Sequence, residues 1–195
     1  MRILLGMLVL ALAVPAGGAR TAAATSGATH VIRYAPAAAN GALAAGYRVT
    51  SRVRGSCWTG SIAAQRADAW RCMVGNDIHD PCYAASTSAR VVYCPTSNIT
   101  RLLAIALTKP LPLDQANRGG TAQALPTMIR LVGGATCWFE TGASGAIGNM
   151  RMNYDCSDGR VLVGEPDRRA PLWRIRAARN GSRTTTFATI DTAVL

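Results

Sequence analysis

The chain has 195 residues, with 21 Lys and Arg against 10 Asp and Glu and a formal net charge of +11. Hydrophobic residues make up 49% of it, which excludes a disordered polycation and is enough for a packed core of about one domain or two small lobes. Aromatic residues are only 6%, so that core must rest mostly on Val, Ile, Leu, Met and Ala. The basic residues are all Arg apart from Lys109, a skew that GC-rich coding produces without any call for binding. The surplus of positive charge is physical whatever its origin. It attracts anionic polymers or membrane surfaces, and salt weakens that attraction.

The N-terminus opens with Arg2 and an apolar run from Ile3 to Val14, followed by small residues such as Gly17-Gly18-Ala19. This is the pattern of a secretory signal peptide over residues 1–19, with a retained anchor as the alternative. The run is shorter than the roughly 17 to 25 residues that span a bilayer, and no later segment is long enough, so no membrane span is expected after cleavage. Residues 20–45, rich in Ala, Gly and Thr, read as a flexible lead-in. A β domain is expected over 46–195, with possible halves at 46–113 and 126–195.

Two-residue alternation then dominates. In Gly46 to Trp58, Tyr47, Val49 and Val53 fall on one face and Arg48, Thr50, Arg52 and Arg54 on the other. A short helical piece is expected over Ser61 to Ala69. Strands follow at Trp70 to Val74, Arg90 to Cys94 and Arg101 to Leu107. Asp114 to Leu125 is a polar connection after Pro110 and Pro112. Three hairpins are expected in the second half. They turn at Gly133-Gly134, at Ser157-Asp158-Gly159 and at Asn180-Gly181, where glycine and asparagine accept positive φ. The class is mainly β with little helix: a small disulfide-reinforced barrel or sandwich, with two related halves as one possibility.

Six cysteines, Cys57, Cys72, Cys82, Cys94, Cys137 and Cys156, follow the leader. In an exported chain an even set of this kind forms three disulfides. Fifteen pairings are possible. An internal echo favours one of them. Cys57-Trp58 is followed by Trp70-x-Cys72, and Cys137-Trp138 by Tyr154-x-Cys156. On a strand, an aromatic two residues before a cysteine shares its face and packs on the bridge. The echo thus suggests Cys57–Cys72, Cys82–Cys94 and Cys137–Cys156.

At Gly55-Ser56-Cys57-Trp58, Asp68-Ala69-Trp70-Arg71-Cys72, Gly75-Asn76 and Asp80-Pro81-Cys82, the chain resembles a group of small secreted actinobacterial proteins. The matching motifs fall within about residues 55 to 95 and consist of structural residue types. The resemblance implies export and a disulfide framework, and it carries no catalytic residue.

Candidate chemistry is sparse. His30 falls in the lead-in. His79 lies in Asp77-Ile78-His79-Asp80, the one cluster of acids and imidazole, which could ligate a metal or act as acid and base. Asn76 and Pro81 mark a turn there and no distant fourth ligand is evident, so neither metal nor cofactor is expected. Six paired cysteines leave no catalytic thiol. Gly142 to Gly145 lacks the second spacing glycine of a nucleophile elbow. Glu140 and Glu165 are the only glutamates. Glu140, beside Trp138 and Phe139, would titrate high if buried, and Glu165 and Asp167 bracket Pro166 in an expected turn.

Basic faces are the strongest functional hint. Arg168, Arg169, Arg174, Arg176, Arg179 and Arg183 follow one another with no acid between them, and Arg48, Arg52 and Arg54 line one strand face. They could form an anion-binding surface, while no recognised nucleic-acid motif accompanies them. The sequence therefore reads as a secreted, non-enzymatic, disulfide-stabilised binding module of the cell envelope or medium. Its partners would be an anionic envelope polymer or an extracellular protein, and its contact residues Arg48, Arg52, Arg54, Arg174 and Arg176. The alternatives are a secreted hydrolase using His79 or Glu140 with an acidic partner, and an inhibitor presenting the loop 83–93.

Overall fold

The structure, a computed structural model, describes residues 27–96, 98–113, 124–142 and 144–195. The expected signal peptide and residues 114–123 of the expected connection lie outside these. Every regular element among the described residues is a strand. In the first half they are β1 (His30–Ile32), β2 (Arg48–Gly60), β3 (Ala69–Val74), β4 (Asp77–Tyr83), β5 (Val91–Pro95) and β6 (Arg101–Leu107). The second half holds β7 (Met128–Leu131), β8 (Thr136–Phe139), β9 (Ala146–Ile147), β10 (Met150–Cys156), β11 (Arg160–Asp167), β12 (Arg174–Arg179) and β13 (Thr186–Val194).

Strands β2 to β6 form a closed barrel, sealed by the parallel pairing of β2 with β6. Strands β7, β8, β10, β11, β12 and β13 form the second, sealed where β13 pairs antiparallel with β7. β1 adds to β13 in parallel, and β9 pairs with β10. The fold is thus all-β and resolves the barrel-or-sandwich alternative as two small barrels. Closure removes the unpaired edges that a flat sheet of this size would expose.

Each barrel has its own core. The first is filled by Trp70, Val92, Ile105 and four cysteines, the second by Ile129, Leu131, Cys137, Tyr154, Leu162, Ile175 and Ile190. A third cluster lies between them, where Tyr34, Tyr83, Tyr93, Leu102 and Ala104 meet Met128 and Val194. β6 therefore buries both faces: Leu103 and Ile105 pack inside the barrel, Leu102 and Ala104 against its neighbour. This is why Leu102 to Leu107 reads as an unbroken aliphatic run.

The disulfides are Cys57–Cys72, Cys82–Cys94 and Cys137–Cys156, the pairing favoured by the echo. Cys57 faces Cys72 directly across β2 and β3, and Cys137 faces Cys156 across β8 and β10. Trp70 and Tyr154, each two residues before a cysteine, are both buried in their barrel cores. Gly55, the first residue of the Gly-Ser-Cys-Trp motif, has no room for a side chain. A Cβ there would meet the Met73 carbonyl and the Ile105 side chain.

Four expectations need correction. The lead-in is not free from residue 27 onward: β1 pairs with β13, and Tyr34 is only 1% exposed. Its hydroxyl donates to the Ile99 carbonyl, and the Arg66 guanidinium donates to the carbonyls of Tyr34 and Leu195. One buried arginine thus ties the N-terminal segment, the first barrel and the end of β13 together. Ser61 to Ala69 is a pair of turns and not a helix. Asp80 accepts from the Ser61 hydroxyl and the Ile62 amide, Ser61 Oγ accepts from the Ala64 amide, and Gln65 at φ 50° breaks the turn. These local bonds offer the backbone an alternative to continued helix.

The Asp77 to Asp80 cluster is strand, not turn. The turn sits at Gly75-Asn76, where Gly75 takes φ 59°, and β4 runs straight through Pro81. Trp70 pairs with Cys82 and Cys72 with His79, so Asp80 and Pro81 together oppose Arg71 alone. That is a β-bulge, one of the few places a sheet accepts proline. Likewise β11 continues through Glu165, Pro166 and Asp167, with a register shift between Val163 and Asp167. Both prolines escape breaking their strands by sitting where the ladder is already irregular.

Candidate functional site

The arginines named from the sequence divide between the barrels. Arg48, Arg52 and Arg54 are exposed on β2, whose neighbours are β3 and β6. Arg174 and Arg176 are exposed on β12, between β11 and β13. The two groups belong to separate sheets, and no strand pairing joins them.

Within the basic stretch of the second barrel, the arginines have unequal roles. Arg168 is half-buried over the Trp173 ring, 4.8 Å from its centroid, and donates to the Ala124 carbonyl. Arg169 forks the carboxylate of Asp167 and holds it well below the usual carboxylate range. Arg174 and Arg176 are different. Residues two apart on a strand share a face, and both guanidiniums gather over Phe187, 5.2 and 4.9 Å from its ring centroid. Phe187 is 53% exposed and stands directly across from Arg176.

The ring quadrupole attracts both cations and holds them close despite their mutual repulsion. Arg176 also donates weakly to Thr185 Oγ1 at 3.4 Å. Asp167 lies across from Arg174 but is already engaged by Arg169. Neither Arg174 nor Arg176 makes an ion pair of its own among the described residues. Arg179 and Arg183 are also exposed near the hairpin turn, Arg179 falling on the opposite face of β12 from Arg174 and Arg176. Sequence reasoning missed Phe187. A two-residue turn at Asn180-Gly181 would set Thr185 across from Arg176, and the longer loop that forms puts Phe187 there instead.

The acid–base candidates stay apart. His79 pairs in register with Cys72 and is half-buried; burial lowers its pKa, partly opposed by Asp77. Glu140 follows β8 in the other barrel. Its carboxyl is raised by partial burial and by the charge of Asp155, against the pull of Arg151. No hydrogen bond joins either side chain to a second titratable group, and no group of three His, Cys, Asp or Glu that could hold a metal occurs, among the described residues. Glu165 is exposed on β11.

Asp80 is the more unusual acid. Its side chain is fully buried, and burial pushes its carboxyl up against hydrogen bonds from Ser61 and Ile62 and the Arg71 guanidinium 3.9 Å away. Its bonds to Ser61 and Ile62 hold the 61–68 turns on β4, and Arg71 lies beside it from β3. It is a structural carboxylate.

Loop 83–93, the segment considered for an inhibitor, is anchored at both ends by Cys82–Cys94 and by the Tyr83–Tyr93 pairing. Tyr83 and Tyr93 themselves are buried. No helix among the described residues is long and apolar enough to cross a membrane. No protein-family model, no curated protein and no solved structure matches this chain.

Proposed function

We propose that the protein is a non-enzymatic, disulfide-stabilised extracellular binding module that takes an anionic envelope polymer on the β12–β13 face. The observation that carries this reading is the pair Arg174 and Arg176, held together over the exposed Phe187 with no ion pair of their own among the described residues. Two like charges gathered on one ring present a focused positive potential to an incoming anion. The ring fixes both side chains beforehand, so little side-chain entropy is lost on binding. Phosphate- or carboxylate-bearing polymers fit such a face, because each guanidinium offers forked donors to a planar or tetrahedral oxyanion. Arg48, Arg52 and Arg54, exposed on β2 of the other barrel, are a further candidate contact for the same kind of ligand.

Co-sedimentation of the mature protein with envelope fractions and with long-chain polyphosphate tests this. Binding is expected to fall steeply from low to high salt. Changing Arg174 and Arg176 together to Gln is expected to weaken it roughly tenfold or more, at about 1 kcal/mol per basic residue near an anionic surface. Binding that ignores both changes would remove this face from the account.

A further inference from the structure

A second site lies at the seam of the two barrels, on elements remote from β12. The seam encloses a cleft of about 300 Å³. Its walls are Pro81 and Pro95 from the first barrel and Trp138 and Phe139 from the second, with Thr96 and Thr127 between them. Each of three wall residues is bonded directly to a bridged cysteine: Pro81 to Cys82, Pro95 to Cys94 and Trp138 to Cys137. The cleft is further framed by the Phe139 amide donating to the Thr127 carbonyl at 3.2 Å. Arg71 of the first barrel donates to the Thr141 carbonyl of the second at 3.3 Å. The walls are thus set before any ligand arrives, which lowers the ordering cost of binding.

The chemistry of the walls narrows the occupant. Among the described residues Asp80 is the one ionisable residue along them, and its carboxylate is fully buried and turned to Ser61 and Ile62. The lining itself therefore presents no exposed charge among the described residues, although the chain as a whole is strongly basic. The exposed Thr96 hydroxyl donates to the Arg101 carbonyl at 3.1 Å and keeps a lone pair to accept from a ligand, whereas Thr127 is buried and its hydroxyl donates inward to the Val194 carbonyl at 3.3 Å. The indole of Trp138 supplies a flat apolar ring and one N–H donor. Such a lining selects a neutral molecule that has a flat C–H face and hydroxyls able both to donate to Thr96 and to accept from Trp138.

We infer that the seam cleft is a carbohydrate site for a neutral, β-linked, gluco-configured chain. All-equatorial hydroxyls leave the sugar ring faces apolar, to lie on Trp138 and the prolines, while the hydroxyl rim meets Thr96 and the Trp138 N–H. A proline-rich peptide fits less well, because proline has no N–H to donate to Thr96. The volume is at the small end of the range for ligand sites, about 300 to 1,000 Å³, so a short stretch of glycan is held. This site stands independently of the arginine face.

Titration of the oxidised protein with cellotetraose, followed by tryptophan emission and calorimetry, tests it. Saturable binding that does not change between low and high salt is expected. Trp138→Ala should weaken it at least about tenfold, and Trp138→Phe, which keeps a ring but loses the N–H, roughly fivefold. Trp58→Ala, outside the cleft, should leave affinity within about twofold. Arg174→Gln with Arg176→Gln should leave it unchanged, which separates failure of this site from failure of the arginine face. Absence of saturable binding, binding untouched in Trp138→Phe, or tighter binding of hexaproline than of cellotetraose overturns the proposal.

Discussion

The stapled strand pairs β2–β3 and β8–β10 are built alike and finish differently. In each, a cysteine faces its partner directly across the ladder, and an aromatic two residues before the second cysteine is buried. Trp70 and Tyr154 even share an orphaned polar atom: Trp70 Nε1 and Tyr154 Oη are buried without a hydrogen-bond partner among the described residues. The tryptophan after the first cysteine separates them. Trp58 sits where the β2–β3 register shifts, 44% exposed, with Arg71 5.5 Å from its ring centroid. Trp138 faces the other barrel and lines the seam cleft. A repeated local pattern can thus make one barrel core twice, while the outward residue of the pattern takes its role from whatever stands beside it.

The comparison breaks most visibly at the buried aromatics. Trp70→Ala and Tyr154→Ala should each cost about 3 to 5 kcal/mol, measured by chemical denaturation with the disulfides intact. A loss below about 1 kcal/mol at either one would show that the two positions are not equivalent. Both barrels share the Tyr34 cluster, so each loss should appear within a single transition. Two separated transitions would show that the barrels fold independently.

Next in size are the staples. The sequence separations of 15 for Cys57–Cys72 and 19 for Cys137–Cys156 are close, so chain entropy assigns each about 3 kcal/mol. Replacing each pair with alanines and comparing midpoints at fixed denaturant slope checks this. Unequal losses would mean that one bridge also supports the seam.

The smallest effect has the opposite sign. Tyr154→Phe removes a buried hydroxyl that has no partner among the described residues, while keeping the ring packed edge-on against Phe139 at 5.4 Å. It is expected to stabilise by about 1 kcal/mol, because an unsatisfied buried donor costs more than its absence. A destabilised variant would mean that the hydroxyl is hydrogen-bonded in solution.

Much of the strand map was legible, for a physical reason that the exceptions make plain. Hairpins at Gly133-Gly134, Ser157-Asp158-Gly159 and Asn180-Gly181 announce themselves because their turns need residues that accept positive φ. β4 was misread because Pro81 signals a break by local rules, and only the bulge opposite Arg71 makes room for it. β1 was missed because three residues carry no periodicity of their own and pair only with a strand some 160 residues later. The arginine pair of β12 was visible, but its partner Phe187 depended on a loop register that turn chemistry alone does not specify.

What the chain determines by itself is short in range. Bridges spanning 12 to 19 residues, glycine turns and two-residue alternation lead to stapled antiparallel strands, since each is settled by neighbours along the backbone. The tertiary structure decided the rest. It closed β2 on β6 and β13 on β7, docked the N-terminal segment through Arg66, and brought the Pro81, Pro95 and Trp138 walls together at one seam. Those pairings join segments dozens of residues apart. No local preference specifies them, and they form because burying the Tyr34 cluster and closing the sheet edges repays the loop entropy they cost.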